Sequence, residues 1–366
     1  MFIDRRYRSI SYHDTWISVD PVLGCPYKCA YCVLRHVGNT GRRPEQRMSP
    51  KKCVKELLEY PLFIPRHTPL AIGNETDMLH ALNVDYLVDL LTEMSANGID
   101  NPIALITKAP LSERVLQRIR AISGLRVVFF LSYSGLGPRY EPNFTDKQLR
   151  ANFSVTKKYD FPVVHYWRPL LPENTTLTAI REMLSFASSI ADATVFIGLK
   201  LHPELTQVIS QDGVVSVPDR LRDQKGEWIE PATIERIYDE ANRMCPTFPL
   251  YRHTSCALAS VLRRPNHTAT VYREDICPPS QCPLVQRRIC EAARRIPSEA
   301  EITETLSVLR RDMSFVRHPD RVLIDGKVSQ EEFAFLLHNL NCPLEVRAIK
   351  MQNLYHGSIY ESQTRL

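Results

Sequence analysis

Nowhere in this 366-residue sequence is there an apolar run long enough to cross a lipid bilayer. Its first ten residues, MFIDRRYRSI, lack the apolar core of a secretory signal, so a cytoplasmic protein with no membrane partner is expected. Low-complexity tracts are missing too. With 44% hydrophobic and 24% charged residues the composition is that of a globular chain, which excludes a disordered one. The charge is not strongly of one sign either, with a formal net value of +5. Arginine pairs recur at Arg5–Arg6, Arg42–Arg43, Arg263–Arg264, Arg287–Arg288, Arg294–Arg295 and Arg310–Arg311. They read either as solvated helix faces or as a surface for phosphate and carboxylate groups.

Cysteine, by contrast, is plentiful, with ten residues. A reducing compartment disfavours structural disulfides, so clustered cysteines point to metal ligands or catalytic groups. One cluster is GCPYKCAYCVLRH (24–36), which holds Cys25, Cys29 and Cys32 with Tyr27, Tyr31 and His36 around them.

Apart from a strand–helix rhythm there is no internal repeat. Strands are predicted at 15–19, 70–73, 103–107, 126–132, 162–167 and 193–198. Helical spacing of apolar residues fills the intervals at 49–60, 84–94, 112–122, 144–159 and 176–190. Ser49 is the expected cap of the first, with Pro50 at its first position. Six such repeats predict an α/β fold, a partial (β/α)6 barrel of TIM type, with an open doubly wound sheet as the alternative. The expected divisions are an N-terminal segment (1–13), the barrel (14–205), a helical, cysteine-rich extension (206–300) and a small α/β tail (301–366). Within the extension, 209–228 reads as a loop or hairpin, followed by three helical stretches.

Cys25-x3-Cys29-x2-Cys32 follows the first predicted strand, where a barrel places its chemistry. Structural zinc takes four ligands, so the fourth would have to come from afar. Three thiolates on a four-iron cluster leave one iron open to a small molecule. Incidental free thiols are the third reading. The spacing, the aromatic Tyr31 before the last cysteine and the position after strand one together resemble the radical S-adenosylmethionine (SAM) superfamily. That resemblance implies a [4Fe-4S] cluster whose open iron is chelated by SAM, reductive cleavage of SAM to a 5′-deoxyadenosyl radical, and hydrogen abstraction from an organic substrate. It also implies an electron donor such as flavodoxin or ferredoxin.

The resemblance narrows to the branch of spore photoproduct lyase and DNA-repair-photolyase-like proteins, over about residues 14–205. IGNETD (72–77) is similar to the turn that binds the SAM amino group, with Glu75 as the contact and Gly73 admitting close backbone approach. Asn74 stands where the motif has its second glycine. ALITK (104–108) and FFLS (129–132) resemble the strands that would bring Lys108 and Ser132 to the SAM ribose or carboxylate. RYEPNFTDKQLR (139–150) resembles the branch's Glu-Pro turn and following helix. YWRPLLPENTT (166–176) resembles its Arg-Pro-x-x-Pro segment, with Arg168 as a carboxylate partner. IGLKL (197–201), including Gly198, would line the adenine side, and the Tyr31 backbone would contact the adenine. Spore photoproduct lyases carry a hydrogen-donating cysteine where this sequence has Asn74, so a true spore photoproduct lyase is not expected. No catalytic hydrogen donor is assigned.

Cys245, Cys256, Cys277, Cys282 and Cys290 form a second group. Cys256, Cys277, Cys282 and Cys290 could hold an auxiliary four-iron cluster or zinc, with His253 as a substitute ligand, or simply be buried thiols. Cys53 and Cys342 read as packing residues. Tyr133, Tyr140, His165, Tyr166 and Trp167 are expected to gather over the barrel mouth. The leading expectation is therefore a radical SAM enzyme acting on a nucleotide, nucleoside, nucleic acid or biosynthetic small molecule. A peptide-modifying maturase is less favoured, because only 24 residues precede the cysteine loop. The rival class is a zinc-stabilised nucleic-acid-binding protein without catalysis.

Overall fold

A computed structural model describes residues 8–277 and 281–350 of the chain. Six parallel strands follow one another in sequential order: β1 (Ile17–Val19), β2 (Leu70–Ile72), β3 (Pro102–Thr107), β4 (Arg126–Ser132), β5 (Val163–Leu170) and β6 (Ala193–Leu201). The strand Ile10–Tyr12 adds antiparallel to β1 at one edge. At the other edge, Leu250–Tyr251 runs parallel to the start of β6, and Gly226–Trp228 runs antiparallel to its end. Among the described residues β1 and β6 do not pair, so the sheet is an open partial barrel rather than a closed one.

Helices α1 (Pro50–Glu59), α2 (Val84–Ala96), α3 (Glu113–Arg120), α4 (Asp146–Lys157) and α5 (Leu177–Ile190) connect the strands where apolar spacing predicts them. Ser49 caps α1 by accepting the Lys52 N–H, and Pro50 occupies the first helical position. Thr145 and Gln148 close a reciprocal capping box on α4. The sixth strand is also followed by a helix, α6 (Pro203–Gln211), which takes up the start of the segment read as a loop. Proline at its first position pre-sets the helical φ.

Alternation along the strands splits the buried side chains between two faces. Val127, Phe129 and Leu131 of β4 meet the helical layer through Leu116, Leu149 and Phe153. Val128 and Phe130 point inward with Ala104, Val164, Tyr166 and Val195. Burial on both faces is why these strands read as continuous apolar runs.

Beyond β6 lie α7 (Pro231–Met244), α8 (Thr254–Val261) and α9 (Leu284–Ala292), the three expected helical stretches. Ala257 and Leu258 of α8 pack against the inner face of the sheet. After α10 (Glu299–Ser307) comes a three-stranded sheet of Ser314–Arg317, Val322–Ser329 and Leu344–Lys350, with α11 (Gln330–Leu340) between its last two strands. This is the small α/β unit. Phe333, Phe335, Leu336 and Leu337 of α11 belong to the same core as Tyr12 and β1. No described helix is long and apolar enough to cross a membrane.

Candidate functional site

Cys25, Cys29 and Cys32 lie on the loop that leaves the C-terminal side of β1, and all three are free thiols. Backbone hydrogen bonds fix the loop. The Cys25 N–H donates to Asn39 O (2.7 Å), the Ala30 N–H to Tyr140 O (2.9 Å) and the Cys32 N–H to Cys29 O (3.2 Å). Gly24 precedes them at φ +92°, a left-handed conformation that favours glycine. Its carbonyl accepts from the Thr76 hydroxyl (2.7 Å), which ties the loop to the one after β2. Burial, aided by the Asp77 carboxylate, pushes the Cys25 thiol up to about 12. Cys29 and Cys32 are raised too, mainly by burial, while Lys108 acts in the opposite sense on both and Arg168 on Cys32. The loop thus sets three sulfurs near two cations, a donor set suited to an anionic thiolate-bound cluster.

The loop after β2 is pinned at Asp77. This buried carboxylate accepts from the Thr107 hydroxyl (2.8 and 3.0 Å) and from the backbone N–H groups of Lys108 (2.9 Å), Ala109 (3.1 Å) and Leu79 (3.0 Å). Asp77 thereby locks the end of β2 to the end of β3, a positioning role that its place in a turn motif did not disclose. Gly73 has φ +83°, and a Cβ there would stand 2.1 Å from Met78 Cγ. Glu75 donates its backbone N–H to Asp20 (3.1 Å) and accepts from the Asn39 amide (3.2 Å). Burial and the neighbouring Glu75 carboxylate push Asp20 upward. Two carboxylates sharing one place favour a cation beside them.

At the ends of β3 and β4 the structure brings together three expected residues and one unexpected one. Lys108 Nζ donates to Ser132 Oγ (2.5 Å) and pairs with Glu141 Oε1 (3.1 Å). The Tyr31 hydroxyl donates to the same Glu141 oxygen, and the Lys108 ammonium stands 5.8 Å from the centre of the Tyr31 ring. Glu141 is 1% exposed. It belongs to the Glu-Pro turn within residues 139–150, where the sequence marks no role for it.

Arg168, on β5, lies with its guanidinium carbon 4.5 Å from the centre of the Tyr166 ring and donates to the Tyr166 hydroxyl (3.2 Å). Gly198 lies against the edge strand: a Cβ there would stand 2.0 Å from the Trp228 carbonyl oxygen, and its N–H donates to Glu227 (2.6 Å). Glycine at 198 therefore admits the antiparallel edge strand. The aromatic group does not gather at the mouth as a whole. Tyr133 and Trp167 belong to the core between sheet and helices, and His165 packs on Phe153 and Phe186 there. Strand alternation sends residues 165 and 167 outward and Tyr166 inward.

The second cysteine group converges as well. Cys256, Cys277, Cys282 and Cys290 line one cavity together with Asn266, Gln286 and Arg287. Burial and the neighbouring Cys282, Cys290 and Cys277 sulfurs push the Cys256 thiol up. His253 precedes α8 as its cap residue and is not among the cavity's lining residues. Cys53 and Cys342 are fully buried, as packing residues. Among the described residues, no three His, Cys, Asp or Glu side chains converge on a single metal-ion position.

The chain shares its fold with spore photoproduct lyase, as the sequence resemblance implied. The structure of that enzyme complexed with dinucleoside spore photoproduct superposes with a TM-score of 0.55 at 12% identity, covering 68% of this chain and 80% of the other. A doubly substituted form of the same enzyme, with bound AdoMet and dinucleoside spore photoproduct, gives a TM-score of 0.52 at 12% identity over 65% and 76% of the two chains. No family model and no curated protein sequence matches the chain.

Proposed function

We propose that this chain is a radical SAM enzyme acting on a nucleotide-like or other organic small molecule. The observation that carries the reading is the meeting of Lys108, Ser132, Glu141 and Tyr31 beside the three-cysteine loop, at the C-terminal ends of an open parallel sheet. In this reading Cys25, Cys29 and Cys32 hold a [4Fe-4S] cluster. When bound, the cluster and SAM supply a 5′-deoxyadenosyl radical for hydrogen abstraction from substrate. The protein's part is to bind, orient and exclude water. Glu75 presents a carboxylate to an amino group, and Asp20 holds the Glu75 backbone N–H. Lys108 offers its ammonium to a carboxylate or ribose oxygen, with Glu141 and Ser132 restricting where it stands. Arg168 is half-buried against Tyr166 and adds a second cation. Buried Cys29 and half-buried Tyr31 limit water around the loop. An external one-electron donor such as flavodoxin or ferredoxin is required.

Asn74 supports a reaction other than that of spore photoproduct lyase. Its amide donates to Ser18, and it has no S–H to return a hydrogen atom. The nucleotide-like substrate is favoured by the dinucleoside bound in the structural neighbour.

The test is anaerobic. Reconstituted protein with dithionite and SAM is expected to release 5′-deoxyadenosine, and Cys29→Ala to release none. Lys108→Met is expected to weaken SAM binding about tenfold, about 1.4 kcal/mol. Cluster-loaded wild-type protein that neither binds nor cleaves SAM would overturn the reading.

A further inference from the structure

We propose that Cys256, Cys277, Cys282 and Cys290 bind a second iron–sulfur cluster of cubane type, with a protein thiolate on each of its four irons. This goes beyond the proposed function and uses none of its residues. Four cysteines drawn from three separate stretches of the chain line one cavity. Cys256 sits in the first turn of α8 and Cys290 near the end of α9. Cys282 is placed by its neighbour Gln281. The Leu250 N–H donates to the Gln281 carbonyl (3.1 Å), and the Gln281 amide donates to Cys245 O (2.6 Å) and Phe248 O (2.7 Å). The Cys277 N–H closes a turn on Arg273 O (2.9 Å).

The polar groups of the cavity are aimed at sulfur. The Asn266 N–H and the Gln286 amide donate to Cys290 Sγ (3.4 and 3.3 Å), the Asn266 amide to Cys256 Sγ (3.5 Å) and the Tyr251 hydroxyl to Cys282 Sγ (3.5 Å). Thiols packed as small hydrophobes need no such donors. Thiolates ligating a cluster do, because hydrogen bonds to sulfur and local charge offset the burial of a net anion and tune its potential. Arg287 lines the same cavity and brings a cation to it.

A tetrahedral zinc ion would draw all four donors within about 2.3 Å of one point, whereas a cubane spreads its thiolates over four irons. The hydrogen bonds to three of the sulfurs and the arginine in the lining suit the larger anionic group, and sulfide analysis separates the two. The site also lies away from the three-cysteine loop. Leu250, to which Gln281 bridges, pairs with the start of β6, whereas Cys25, Cys29 and Cys32 follow the end of β1. With four protein ligands and no open iron, the second cluster serves structure or electron transfer rather than SAM binding.

The test is metal and acid-labile sulfide analysis, with the visible thiolate-to-iron absorption, on anaerobically reconstituted chains. The triple variant Cys25→Ala/Cys29→Ala/Cys32→Ala is expected to keep about four irons and four sulfides per chain, against about eight of each in the wild type. Adding Cys256→Ser and Cys282→Ser to it is expected to remove them. Arg287→Leu keeps every thiol and is expected to retain the iron while shifting the cluster's reduction potential downward. A triple variant free of iron, or one holding a single zinc without sulfide, overturns the second cluster and leaves the SAM site standing. Wild-type protein whose four irons survive the triple substitution but not the Cys256/Cys282 pair would instead overturn the SAM site and leave this one.

Discussion

Glu141 meets the Lys108 ammonium and the Tyr31 hydroxyl with a single carboxylate oxygen. The Lys108 side chain is 11% exposed and that of Glu141 2%, so water screens the pair little. Removing one partner of such a pair leaves the other charge poorly solvated. Glu141→Gln is expected to lower stability by about 2–4 kcal/mol in urea unfolding, scaled from breaking a buried pair. Lys108→Met in the same background is expected to restore part of that loss, with a coupling of about 1–3 kcal/mol. Strictly additive losses would show that the two side chains do not act as a pair. The sequence disclosed this cluster unevenly. Lys108 and Ser132 stand at strand ends, where period and position mark them. Glu141 lies in a loop without periodicity, and Asp77 reads as an ordinary turn residue until its four donors are seen.

At the scale of elements, α11 is joined to the sheet through histidines. His338 Nε2 donates to Asp14 O (2.7 Å), and His67 Nε2 donates to His338 O (2.9 Å). The His267 ring is 4.5 Å from that of His338 and donates to Thr15 O (2.8 Å), while the Tyr12 ring lies 5.0 Å away on another side. The His338 Nδ1 atom is buried without a hydrogen-bond partner. Burial lowers His267 to about 4 and His338 well below its ordinary value, with His267 and His67 adding repulsion at His338. Below about pH 6.5 the unfolded chain takes up these protons and the folded one does not, so stability is full above that pH and falls as the pH drops toward 4. At pH 5.5, one unit below the unfolded value, the loss at His267 is about 1.4 kcal/mol. His338→Gln keeps a donor for Asp14 without a titrating ring. It is expected to reduce the slope of stability against pH between 6.5 and 5, followed by urea unfolding at each pH. An unchanged slope would assign the acid limb to other groups. Helix α6 illustrates what hides an element: Gly213, Pro218 and the charged run 219–225 just after it lend the whole stretch the look of a loop.

Across the whole molecule, the sheet was legible because each strand is buried on both faces and each helix on one, so two periods alternate along the chain. The closing of its edge was not. Strands of two or three residues, such as Leu250–Tyr251 and Gly226–Trp228, carry no period, and their partners are far away in sequence. The gathering of four distant cysteines around one cavity is equally a product of tertiary packing. So is the attachment of the tail, which the sequence marks as a unit beginning near residue 301. Phe335 meets Tyr12 edge-on with ring centres 6.4 Å apart, and Arg8 pairs with Glu331 at 3.0 Å. Tyr12 and Phe335 are among the largest fully buried side chains. A chain ending at residue 300 would expose Tyr12 and the apolar ground beneath α11, a loss of several large buried side chains worth about 1.5–3 kcal/mol each. Trp16, Trp167 and Trp228 all lie outside the tail, so their fluorescence reports on the sheet alone. The full chain is expected to unfold in one cooperative tryptophan transition, and the truncated chain to lose it or shift its urea midpoint sharply downward. A truncated chain that keeps the full-length midpoint would make the tail a separable domain.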